Sequence, residues 1–203
     1  MKRIPRWALE SAAAAPILLV GGWTIAAALQ PTGYDPIRDT ISALAAHGAT
    51  DRWVMTVALA AVAACYLVTA AGLQPARRAG RLVLAAGGVA TLAVALSPQP
   101  AHGGSVAHTI AASVAFISLA AWPVVAARRD SSAPLLRRPV SAAATLALLS
   151  LVAWFAIELH GGQRGLAERV AAGAQALWPL VVVATTRVFA SAVSRDDLNA
   201  AGA

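Results

Sequence analysis

The chain is poor in charge, nearly free of cysteine, and without the short motifs that mark soluble enzymes. Charged residues make up 12% of its 203 positions, against about 25% in a soluble domain. So few charges cannot coat a water-facing surface, and the solvent for most of the chain is therefore lipid. The single cysteine, Cys65, excludes an intrachain disulfide and lies inside an apolar run, where it reads as a small buried hydrophobe. There is no GxxxxGK(S/T), no GxSxG, no HExxH and no CxxC, which removes the phosphate-loop, nucleophile-elbow, zincin and thiol-redox readings. Acids are also scarce, 9 against 16 Lys plus Arg. In a soluble protein that balance would point to nucleic acid. Here the basic residues stand between apolar runs, the pattern of membrane topology, so no nucleic-acid partner is implied. The apolar runs do not alternate, which argues against barrel strands.

What is present is a series of long apolar segments, at about 8–29, 53–73, 81–98, 105–127, 139–159 and 169–190. A hydrocarbon core needs roughly 20 such residues in a helix. The first segment, with its apolar run and Pro16, reads as a span rather than a cleaved signal peptide. The third is the shortest, and Arg81 would complete it by snorkelling to the interface. Small residues at Gly21-Gly22, Gly72 and Gly87-Gly88 let helices approach closely, which lipid-solvated bundles require. The fold expected is all-α: one domain over 1–203, an integral membrane six-helix bundle, compatible with a homo-oligomer. Twelve basic residues fall at the termini and in the second and fourth connections, whereas Arg38, Arg52, Arg164 and Arg169 fall on the other side. Both termini are thus expected in the cytoplasm, with the protein in the plasma membrane.

Between the first two spans lies a polar island, YDPIRDTISALAAHGATDRW, residues 34–53. It reads as a short amphipathic helix on the outer face. Asp35 would be its N-cap, Pro36 its first residue and Gly48 the residue past its end, with Ile37, Ile41 and Leu44 on one stripe. Thr50 or Asp51 would cap the second span. Asp39 and His47 have no such local explanation.

All four histidines and five of the nine acids fall on that same outer side. His47, His102 and His160 each precede a glycine in a loop, while His108 lies one turn into the fourth span behind Ser105. Glu158 ends the fifth span, and Glu168 opens the sixth, where the helix dipole alone would favour it. His160, Arg164 and Arg169 are near enough in sequence to neutralise Glu158. Ionisable groups within a span are functional hypotheses by default. Asp39, Ser42, His47, His108, Glu158, His160, Glu168 and Arg169 are therefore the candidate ligand-binding cluster. No catalytic residue, metal or cofactor is assigned.

The stretch YDPIRDTISALAAHG resembles a family of bacterial six-span membrane proteins designated DUF998. The likeness continues in HGGSVAHTIAASVAF at the fourth span and in GLAER followed by AAGAQALWPLV at the sixth. It implies a six-helix bundle and no defined activity. A more distant likeness to the Frag1/DRAM/Sfk1 group implies membrane or lipid-related roles. Three functions follow. The first is binding or moving a small solute or lipid through an outward-facing polar cavity. The second is a non-catalytic subunit or assembly factor. The third is a lipid metallohydrolase, against which stands the absence of HxxxH; His102 and His108 are six apart, about 120° around a helix. The chain leans away from being an enzyme.

Overall fold

The computed structural model describes residues 4–201 apart from 102, 130 and 132. His102, Lys2 and Arg3 thus lie outside the described residues. Among the described residues seven α-helices are formed: α1 (Arg6–Ala28), α2 (Ile41–Leu44), α3 (Trp53–Gly72), α4 (Arg78–Leu96), α5 (Val106–Ala126), α6 (Arg138–Glu158) and α7 (Arg164–Ala201). Six of them are long and apolar enough to cross a membrane. Among the described residues the only β pairing is a single bridge between Arg128 and Arg137. Each spanning helix packs on its neighbours in the chain, and α7 returns to α1, so the six close into a ring. The short α2 bridges α1 and α7 at the end of the ring opposite the chain termini, here termed the loop end.

The ring is held by small side chains. Along α1, Ala8, Ala12, Ala15, Leu19, Gly22 and Ala26 are buried at spacings of three and four, one continuous stripe. A Cβ on Gly22 would lie 2.4 Å from the Ala58 Cβ of α3, whereas Gly21 faces open space. Lipid tails give helices no hydrophobic reason to associate, so this close approach supplies the packing instead. Large apolar residues such as Ile17 and Leu96 are about 70% exposed on the outside, where acyl chains solvate them.

The Arg81 guanidinium donates to Ala70 O and Ala71 O, both at 2.7 Å, and so caps the last turn of α3. Three local expectations are corrected. The island helix is shorter than its sequence suggests, with Thr40 rather than Asp35 as N-cap; Thr40 Oγ1 accepts from Ala43 N–H at 3.1 Å. Asp51 receives the Trp53 indole N–H at 3.2 Å, and α3 has no side-chain cap. Finally, α7 begins five residues before the apolar run, at Arg164, which puts Glu168 in its second turn.

Candidate functional site

The site is built where the polar island meets α7. Asp35 Oδ1 accepts the Ile37 N–H at 2.9 Å, and Asp39 Oδ2 accepts the Asp35 N–H at 2.9 Å. These two bonds close residues 35–39 into a compact turn. The Asp35 carbonyl stays within the turn, accepting the Arg38 and Asp39 N–H at 3.0 and 2.6 Å, while those of residues 36–39 face α7. Ile37 O accepts the Leu166 N–H at 3.0 Å, and Arg38 O accepts Arg164 Nε at 2.8 Å. Arg169 donates to Pro36 O and Asp39 O, both at 2.7 Å, and to the Tyr34 hydroxyl. A helix through residues 35–39 would have used these carbonyls itself; their capture by α7 is why α2 starts only at Ile41. Gly165 permits the contact, since a Cβ there would lie 2.3 Å from Asp39 O. Burial raises the Tyr34 phenol above its usual pKa, against the opposing pull of Arg169.

Beneath this turn three elements converge. Glu168 is buried, and its carboxylate accepts the Ile41 N–H. It therefore caps α2 from a distance, beside the local cap Thr40. Ser42 Oγ lies 3.0 Å from Glu168 Oε1 and 3.1 Å from His108 Nε2. His108 is 3% exposed, and its Nδ1 lies 2.9 Å from Ser97 O at the end of α4. Ser105 caps α5 by accepting the His108 N–H at 3.3 Å, which fixes where the ring enters the bundle. The line Ser97 O, His108, Ser42, Glu168 thus joins α4, α5, α2 and α7.

Donor counting constrains its charge. A carbonyl only accepts, so His108 Nδ1 carries a proton. Ser42 has one hydroxyl proton and two acceptor-capable neighbours, so a neutral imidazole facing an ionised carboxylate would leave one contact unmade. Two arrangements satisfy every group. Either His108 is doubly protonated and donates to Ser42, which donates to the Glu168 carboxylate, or Glu168 is protonated and donates to Ser42, which donates to His108. Both hold the same number of protons. The network is a unit in which one proton can sit at either end, in surroundings where an unmade polar contact is costly.

Ser42 and Glu168 also roof a cavity of about 70 Å³ inside the ring. Its walls are mainly apolar, from Leu19, Leu59, Val62, Val94 and Leu119 among others. From Glu168 to Gln175 along α7 it runs about 10 Å into the bundle. Gln175 Nε2 donates to Phe116 O at 2.9 Å and ties α7 to α5. Tyr66 lines the cavity and is 2% exposed, with no side-chain hydrogen bond among the described residues; the fully enclosed polar atoms left without a partner there are Trp122 Nε1 and Trp178 Nε1.

Of the sequence candidates, Ser42, His108 and Glu168 come together, with Asp39 and Arg169 in the turn above them. His47, Glu158 and His160 do not join. His47 contributes its backbone N–H to Gln99 O at 2.9 Å while its side chain is exposed. Glu158 Oε2 accepts the Gln163 N–H at 3.1 Å, a local clasp on the α6–α7 turn, and His160 is exposed beside it. Arg169 serves the island rather than Glu158. Among the described residues no three His, Cys, Asp or Glu side chains gather as a metal site. The cavity is also more apolar than the polar vestibule the sequence suggested. Sequence reasoning missed Tyr34, Tyr66 and Gln175. Gln175 was findable, as the one amide in an otherwise apolar run; the two tyrosines carried no such signal.

Six apolar helices closed in a ring make this a multi-pass membrane protein. The chain belongs to the family described as "Protein of unknown function (DUF998)", whose sequence profile matches residues 12–185 and so spans every residue of the network. No curated protein and no solved structure matches the chain, and the likeness to the Frag1/DRAM/Sfk1 group has no support from these comparisons.

Proposed function

We propose that the protein binds a lipid or other amphiphile at the loop end of the ring, with the ligand's apolar part in the cavity and its polar atoms at Tyr66 and at Ser42–Glu168. The observation that carries this reading is a largely apolar cavity that Tyr66 helps to line and that Ser42 and the Glu168 carboxylate roof. A Tyr66 hydroxyl with no described partner to give up would gain one from a ligand oxygen or nitrogen. The volume is roughly half that of a ~150 Å³ cavity known to take benzene, so only the end of a larger molecule would enter. In this reading the loop end lies outside and both termini lie in the cytoplasm of a plasma-membrane protein, an orientation that the basic bias of the loops supports. The His108–Ser42–Glu168 unit would then let a bound polar group meet either a neutral or an ionised face.

Most of the small residues that let helices approach closely are used within the chain, as at Gly22 against Ala58 and Gly88 against Tyr66, while Gly21 faces open space. That leaves ligand binding as the better-supported reading. The test is native mass spectrometry of protein purified in mild detergent, comparing wild type with Tyr66→Phe. Wild type should retain a small amphiphile, and Tyr66→Phe should lose it while melting at the same or a higher temperature. Equal retention by both proteins, or a wild type that carries nothing, would rule the reading out.

A further inference from the structure

At the end of the ring that carries the termini, two connections lie side by side. Gly80 of α4 packs against α5 so closely that a Cβ would lie 2.2 Å from Ala126 Cα. Arg77 N–H donates to Ala126 O at 3.1 Å, and Arg128 N–H donates to Leu136 O at 2.8 Å. These contacts fix the backbone of the α3–α4 and α5–α6 connections against each other. Between them is a cleft of about 570 Å³ lined by Arg77, Arg78, Arg128, Arg129 and Arg138 with two alanines. That volume lies within the range of small-molecule sites.

The neighbouring arginines show what structural arginines do here. Arg81 caps α3, Arg137 Nε donates to Ser131 O at 3.2 Å, and Arg187 donates to Ile4 O. The five in the cleft have no side-chain hydrogen bond or ion pair among the described residues, and no described carboxylate lines it. Asp130, next to Arg129, lies outside the described residues. Topology alone asks only that positive charge be on one side; it does not ask that five arginines line one cleft. Like charges so arranged repel, and an anion between them removes the repulsion. The cleft is also at the rim of the apolar spans, the depth of lipid headgroups.

We propose that this cleft is a binding site for a phosphate-bearing anion, either the headgroup of an acidic phospholipid or a soluble phosphate compound. Guanidinium forks match phosphate oxygens two at a time, which sets this class above a carboxylate or a halide. The site is independent of the cavity at the loop end.

The experiment uses the full chain in mild detergent, titrated with cardiolipin or with phosphatidylcholine and read by native mass spectrometry. Wild type should bind cardiolipin saturably and in preference to phosphatidylcholine. Arg78→Gln with Arg129→Gln should weaken that binding by about tenfold or more. Arg78→Lys with Arg129→Lys, which keeps the charge, should retain part of it and guards against loss of fold. Arg38→Gln with Arg52→Gln, the same charge change at the opposite end, should have no effect. Adding pyrophosphate separates the two sources. Competition at low millimolar concentration marks a soluble phosphate ligand, and its failure to compete marks a lipid headgroup. The proposal is overturned if cardiolipin has no preference over phosphatidylcholine, or if the Arg38/Arg52 pair weakens binding as much as the cleft pair.

Discussion

The two ends of this bundle differ in how many arginines they leave without a described partner. At the loop end, three of the four arginines are engaged: Arg38 with Asp35, Arg164 with Arg38 O and Asp39, and Arg169 with four oxygens including its own helix carbonyl Gly165 O. There cations are fasteners that tie a polar turn onto α7. At the termini end, five arginines converge without a described partner. The same residue type therefore serves closure alone at the loop end, and both closure (Arg81, Arg137, Arg187) and openness at the other. The difference is set by whether backbone carbonyls are left over. The turn at 35–39 exposes four in a row, and Arg164, Arg169 and the Leu166 N–H take them up.

That contrast can be broken by mutation. Arg169→Ala should have the largest effect, lowering stability by about 3 kcal/mol because several carbonyls and the Tyr34 hydroxyl lose a charged donor at once. Thermal unfolding in detergent, with proteolysis of residues 34–40 as a local readout, measures it. Gly165→Ala should cost about 1–3 kcal/mol by pushing the turn off α7, and should raise proteolysis at the same bonds. Ser42→Ala should cost about 1–2 kcal/mol, since His108 Nε2 and Glu168 Oε1 lose their shared partner. Arg78→Gln should change stability by no more than about 0.5 kcal/mol in either direction. A melt in which Arg78→Gln falls as far as Arg169→Ala would erase the distinction between fastening and open arginines.

Much of the fold was legible because hydropathy in a bilayer needs no knowledge of partners. A run such as Trp53–Gly72 is a span wherever it sits, and all six expected segments coincide with helices. The island was legible as a place but not as a shape. Asp35-Pro36 is a good helix start by local chemistry, yet the Asp35–Ile37 turn and the pull of Arg169 on the carbonyls win. Glu168 shows the same limit. By local rules it belongs to the start of its own helix, whereas its carboxylate serves α2, 127 residues earlier. Ser42, His108 and Glu168 were each visible as polar residues in suspicious places. Their pairing was not, because it depends on a ring closure that brings α2, α5 and α7 together. Glu158 carried the same sequence signal and turned out to be a local clasp on Gln163, so polarity near a span marks candidates without sorting them.

His108, Ser42 and Glu168 are joined into one unit above the cavity. A double-mutant cycle with His108→Ala and Glu168→Gln, read by unfolding free energy, tests it most directly. The two should couple by about 1 kcal/mol or more, and the coupling should vanish when Ser42→Ala is present in all four proteins. Additive effects within about 0.5 kcal/mol, with or without Ser42, would contradict the network.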